Sequence, residues 1–62
     1  MATSVVVARS KAGGLEYLAD EGKVVWTEAH QLATRFETVR EATRTAMRLP
    51  SQMRAFALPL NA

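Results

Sequence analysis

The tetrapeptide Thr38-Val39-Arg40-Glu41 constrains this chain more than any other stretch. Threonine followed three residues later by glutamate is the pattern of a capping box. The hydroxyl accepts from the backbone N–H near Glu41, and the Glu41 carboxylate reaches back to the N–H of Thr38. With Phe36 as an apolar anchor just before it, the block 33–42 sets the start of one helix and orients the rest of a very small fold.

The helix predicted from this start runs from Val39 to about Arg48. Val39, Ala42, Ala46 and Leu49 follow the 3-4-3 spacing of one buried stripe. Leu49-Pro50 ends it, because the residue before a proline disfavours the α region. The alanines at 42 and 46 let the helix lie close on a sheet.

Three strands precede it. Val5-Val6-Val7-Ala8-Arg9 is short and β-branched. The loop from Ser10 to Gly14 follows, with glycines that permit positive φ. In Leu15–Ala19, Leu15, Tyr17 and Ala19 share one face, and Glu16 and Leu18 the other. Residues 20–23 form a turn with Gly22 in the left-handed position, and Val24–Thr27 is the third strand. Residues 28–33 predict a single helical turn, too short to stand as a helix alone, and Thr34–Phe36 a short extended piece. Trp26 is expected in the core beneath the helix with Leu15, Tyr17, Phe36 and Phe56.

The tail has two readings. Met53–Leu58 alternates as a strand would, with Pro59 closing it, and a short helix starting near Ser51 competes. The fold class is therefore α+β. An antiparallel sheet of three or four strands, in β-β-β-α-β order, carries one helix on one face.

Length bounds the rest. Sixty-two residues make one domain spanning 1–62, and a domain of this size buries only about 60% of the surface its unfolded chain exposes. Scaffolds so small usually need a staple, a metal or a partner chain. There is no cysteine, which excludes disulfides and thiolate metal sites. Good packing or a homodimer remains. Near the start, an early positive charge is missing and the run 5–8 is cut by Arg9, so a signal peptide is not expected. No stretch approaches the roughly 20 apolar residues of a membrane helix. The expectation is a soluble, cytoplasmic protein with no membrane partner.

Few residues carry chemistry. His30 is the one histidine, in a polar segment with no second histidine or cysteine to help it hold a metal. Asp20 and Glu21 read as solvated turn carboxylates. Glu16 and Glu28 could approach across strands, but nothing desolvates them as acid–base tuning requires. Lys11-Ala12-Gly13-Gly14 has its lysine before the glycines and a strand after them, which fails the phosphate-loop pattern. No enzyme, cofactor or metal is expected.

Charge is unevenly placed. The net charge is +2, from eight basic and six acidic side chains. Residues 15–30 hold four carboxylates against Lys23, a local sum of −3, while residues 35–54 hold five arginines against Glu37 and Glu41, a local sum of +3. Arg40, Arg44 and Arg48 recur every four residues on the exposed helix face, and Arg35 and Arg54 could extend the ridge. Such a ridge can track phosphates or contact a partner. Glu37 and Glu41 each stand three residues before an arginine and can pair with it. Val5–Val7 and Val24–Trp26 are apolar on both faces, so apolar surface should remain after the helix docks. Val6, Leu18 and Val25 are the candidates for that interface.

The run from Trp26 to Ala46 resembles a group of small, mostly uncharacterised bacterial and phage proteins. In these, a tryptophan closes a hairpin, then come an alanine, a phenylalanine, a threonine or serine cap, and Glu-Ala opening a helix. The matching residues here are Trp26, Ala33, Phe36, Thr38, Glu41 and Ala42. The resemblance implies a strand–strand–strand–helix–strand architecture and no activity. The function expected is a non-catalytic protein-interaction module that binds a protein partner or a second copy of itself as a homodimer. Nucleic-acid binding through the basic helix face is the alternative.

Overall fold

In the computed structural model, which describes residues 4–20, 23 and 25–60, the chain runs β1 (Ser4–Lys11), β2 (Gly14–Asp20), β3 (Val25–Thr27), α1 (Val39–Arg48) and β4 (Phe56–Leu60). Single 3₁₀ turns stand at His30–Leu32 and Ser51–Met53. The four strands form one antiparallel sheet in the order β3-β2-β1-β4, the α+β arrangement the sequence predicts. The turn at residues 21–22 and the start of the third strand at Val24 lie outside the described residues.

The unbroken apolar run Val5–Ala8 is explained by its place. β1 is a central strand, and all four side chains are buried. A strand covered on both faces loses the alternation of a half-exposed one. β1 turns into β2 through the two residues Ala12 and Gly13, between the paired Lys11 and Gly14. Gly13 has φ +91°, the left-handed position that glycine takes without cost.

The β1–β2 ladder stops at Ala8↔Tyr17, and Thr34–Phe36 fills the opening beyond it. The Thr34 N–H donates to Leu18 O (2.9 Å) and its hydroxyl to Ala19 O (2.8 Å). Phe36 exchanges two backbone bonds with Val5, at 2.8 and 3.1 Å. The short extended piece is thus a stitch between two parted strands.

That stitch also explains Pro59. The N–H and C=O of Val5 are committed to Phe36, so they point away from β4. Val5 is paired with Pro59, and the pair is therefore a non-hydrogen-bonded one. The nitrogen of Pro59 faces the outer edge, where a proline removes no ladder bond. The strand accordingly runs through Pro59 to Leu60 rather than closing before it. The competing reading of the tail survives only as the 3₁₀ turn at Ser51–Met53, which ends on Arg54 at φ 53°.

Helix α1 starts as its cap dictates. Thr38 is extended (φ −133°, ψ 155°) and its hydroxyl accepts from the Glu41 N–H at 3.1 Å. The second half of the expected box differs: the Glu41 carboxylate lies 3.4 Å from the Thr38 hydroxyl instead of bonding the Thr38 N–H. Thr38→Ala is expected to cost about 1 kcal/mol, read as a lowered denaturation midpoint at unchanged slope.

The buried stripe of α1 is Ala42, Thr45 and Ala46, continued by half-buried Leu49. Val39, expected in it, is 49% exposed. The helix is rotated so that its first residue overlooks the outer flank of β4, and Thr45 takes the place inside. Below the helix, Val5, Val7, Leu18, Ala42 and Ala46 form the core, with Trp26, Phe36, Leu49, Ala55 and Ala57 packed around them. Trp26 and Phe36 are where the sequence places them, but Leu15, Tyr17 and Phe56 are not. Trp26 is paired with Leu18, while Tyr17 is paired with Thr27 and Phe56 with Ala8. Successive side chains alternate faces, so these three stand on the side of the sheet away from α1.

Candidate interaction surfaces

Three surfaces emerge from this geometry. The first is the sheet face opposite α1. Its central residues, Val6 and Ala8, are fully buried, and their register neighbours on that side are Tyr17, Phe56 and Leu58. Leu15 and Leu60, paired with Ser10 and Ser4, extend it. Val25, next to Trp26 and so on the other face from it, is 44% exposed at the β3 edge. Of the apolar candidates read from sequence, Val25 lies at the rim of this face and is exposed, whereas Val6, at its centre, is already fully covered within the chain and cannot itself make a contact. Leu18 does not belong to it: it is fully buried beneath the helix, because it lies one residue on from Tyr17 and so on the opposite face of β2.

The second surface is a groove between α1 and β4, which the sequence reading missed. Val39, Thr43 and Met47 form its helix wall, and Ala46, Leu49 and Ala57 its floor, around a cavity of about 540 Å³. Met47 is 79% exposed there. The signal in the sequence was the i, i+4, i+8 spacing of Val39, Thr43 and Met47, which has meaning only once the helix is set over β4.

The third is the basic flank of α1. Arg44 and Arg48 meet Arg35 across a concavity of about 380 Å³ that Glu37, Glu41 and Thr45 also line. Arg40 is exposed but does not line it. Among the described residues none of these four arginines lies within 4 Å of a carboxylate; the ion pairs are elsewhere. The i, i+3 pairing expected for Glu37 and Glu41 is therefore not formed.

Those ion pairs occupy the carboxylates that sequence reading weighed for catalysis. Arg9 holds Glu16 through Nε and Nη2 at 3.1 and 2.9 Å, and Lys11 bridges Glu16 (3.9 Å) and Glu28. The Arg9 guanidinium also lies 4.4 Å from the Trp26 ring centroid, inside cation–π range. The Trp26 indole N–H is buried and has no acceptor among the described residues. His30 is exposed and meets Tyr17 edge-on, with ring centroids 6.4 Å apart. Among the described residues no three His, Asp or Glu side chains gather as metal ligands would, and no helix is long and apolar enough to cross a membrane.

The fold and its surfaces define a small α+β protein with one helix on a four-stranded antiparallel sheet. In comparisons with protein families, curated proteins and solved structures, the chain has no match.

Proposed function

We propose that this chain is a small non-catalytic protein-interaction module that self-associates as a two-fold dimer through the sheet face opposite α1. One observation carries the reading: the side of the sheet away from the helix groups exposed Phe56 with half-buried Leu15, Tyr17, Leu58 and Leu60. A soluble monomer rarely shows so contiguous an apolar surface.

Size and symmetry support a second copy as the occupant. The Cα extents are 33 × 24 × 17 Å; an ellipse on the two longer axes is about 600 Å², so a complete face-to-face contact buries at most roughly 1,200 Å², the lower limit of stable interfaces. A two-fold axis in the plane of the sheet sets the patch against itself, as an isologous contact requires. The arrangement also removes from water the half-buried rim of that face, a gain that matters in a 62-residue chain with a small core. The proposed setting is the cytoplasm, supported by the lack of cysteine. The test is sedimentation velocity from micromolar to millimolar concentration. A concentration-dependent dimer is expected; a monomer throughout contradicts the proposal.

A second reading, nucleic-acid binding, is favoured by the three arginines that share one concavity with no ion-pair partner among the described residues. Under it, affinity for a mixed oligonucleotide falls steeply with salt and drops at least tenfold when Arg35, Arg44 and Arg48 are all replaced by alanine. Unchanged affinity in the triple variant removes this reading.

A further inference from the structure

We propose that the outer edge of β4 and the α1 flank above it form a second two-fold interface between copies of this chain. Its axis is perpendicular to the face-to-face axis, and the protein closes into a tetramer of D2 symmetry. The tetramer rests on the face-to-face dimer proposed above; the edge contact does not.

The edge begins with hydrogen-bond direction. Because Val5 turns its N–H and C=O towards Phe36, its neighbours Ser4, Val6 and Ala8 turn theirs towards Leu60, Leu58 and Phe56. The alternate residues of β4, Ala57 and Pro59, then point their backbone groups outward. Ala57 offers a donor and an acceptor, and Pro59 an acceptor alone. Among the described residues this edge is unpaired, and such an edge is a template for another strand. A second β4 centred on Ala57 matches it best. The two Ala57 residues exchange N–H···O=C bonds, and each Pro59 uses only the acceptor it has. A register centred on Pro59 would lose both central bonds.

Side chains select the same occupant. Val39 and Met47 are exposed at 49% and 79%, on the groove wall directly above this edge. Two-fold pairing of the edges keeps both helices on one side of the joined sheet. It brings the two Val39/Met47 flanks against each other, apolar on apolar. Among the described residues, Arg54 is the only charged one lining the groove. Pairing about Ala57 sets Arg54 opposite Leu60 of the other copy, at the far ends of the ladder, so the like charges stay apart.

Area ranks the two contacts. A flank that includes the shortest axis is at most about 440 Å², so two flanks bury less than the ~1,200 Å² of a stable interface. The edge contact is the weaker one, and assembly proceeds from monomer to face-to-face dimer to tetramer as concentration rises. The edge axis is normal to the sheet and the face axis lies in its plane. Perpendicular two-folds close on themselves rather than growing a fibre. The product is two eight-stranded sheets stacked face to face with helices outside.

The test is sedimentation velocity and light scattering up to millimolar concentration on the wild type, on Met47→Glu, on Val39→Glu/Met47→Glu, and on Val25→Lys/Leu58→Lys. Unchanged far-UV circular dichroism checks each fold. The wild type is expected to reach a tetramer, and both edge variants to stop at a dimer. The inference is overturned if the wild type stops at a dimer that the edge variants also form, or if the edge variants still form tetramers. Loss of the dimer in the edge variants but not in Val25→Lys/Leu58→Lys would instead overturn the face-to-face reading and leave the edge contact standing.

Discussion

Leu18→Ala is expected to lower stability by about 3 kcal/mol, within the roughly 2–5 kcal/mol found for buried leucine truncations. Leu18 is fully buried at the junction of β2, β3 and α1. Its own carbonyl also anchors the Thr34 stitch, so a cavity there loosens the segment that closes the parted strands. In a domain of this length 1 kcal/mol corresponds to roughly 4–8 °C in Tm, and the expected drop is about 12–24 °C at fixed protein concentration. A single core in so small a scaffold seldom supplies more than about 3–5 kcal/mol, so the variant should keep no more than about 2 kcal/mol and lie close to its unfolding transition. Leu32→Ala is the matched control: Leu32 is 67% exposed, and its truncation should stay within about 0.5 kcal/mol. Similar midpoints for the two variants would mean that Leu18 does not hold the core as described.

The second large effect concerns association. Val25→Lys with Leu58→Lys places two ammonium groups per protomer on the face opposite α1, where a two-fold contact would bury them without a partner. The dimer dissociation constant should rise at least a hundredfold, about 2.7 kcal/mol. Changes on the arginine flank should leave it untouched. Fold stability should move little by comparison, because Val25 is 44% exposed and Leu58 only half-buried. If the double variant dimerises as the wild type does, the contact lies elsewhere.

Several elements were legible because their causes are local. Thr38 and Glu41 announce the helix start, Leu49-Pro50 announces its end, and the β-branched run at 5–7 announces a strand. Alternation within β2 correctly separates Tyr17 from Leu18. What alternation within one strand cannot say is which face the helix takes. That choice is made by pairing between strands distant in sequence: Leu18 with Trp26, and Val7 with Ala57. The sequence therefore puts Tyr17 beneath the helix and Leu18 on the open side, each on the face opposite the one it takes. Val39 fails for a related reason. Periodicity gives a stripe about 100° wide, and tertiary packing rotated it by one position in favour of Thr45. Pro59 reads as a strand end unless it is known that Val5 spends its hydrogen bonds on Phe36, thirty-one residues away. The arginine ridge was visible from spacing alone, whereas its partner Arg35 and the α1–β4 groove depend on how the helix is laid across the sheet.

The most direct test of the account is an isotope-filtered NOE experiment on a sample that mixes ¹³C,¹⁵N-labelled with unlabelled chains. Contacts between copies are expected from the Tyr17 ring to Leu58 and Leu15 methyl groups, with none from Arg44 or Arg48. Intermolecular contacts confined to the arginine flank, or none at millimolar concentration, would contradict it.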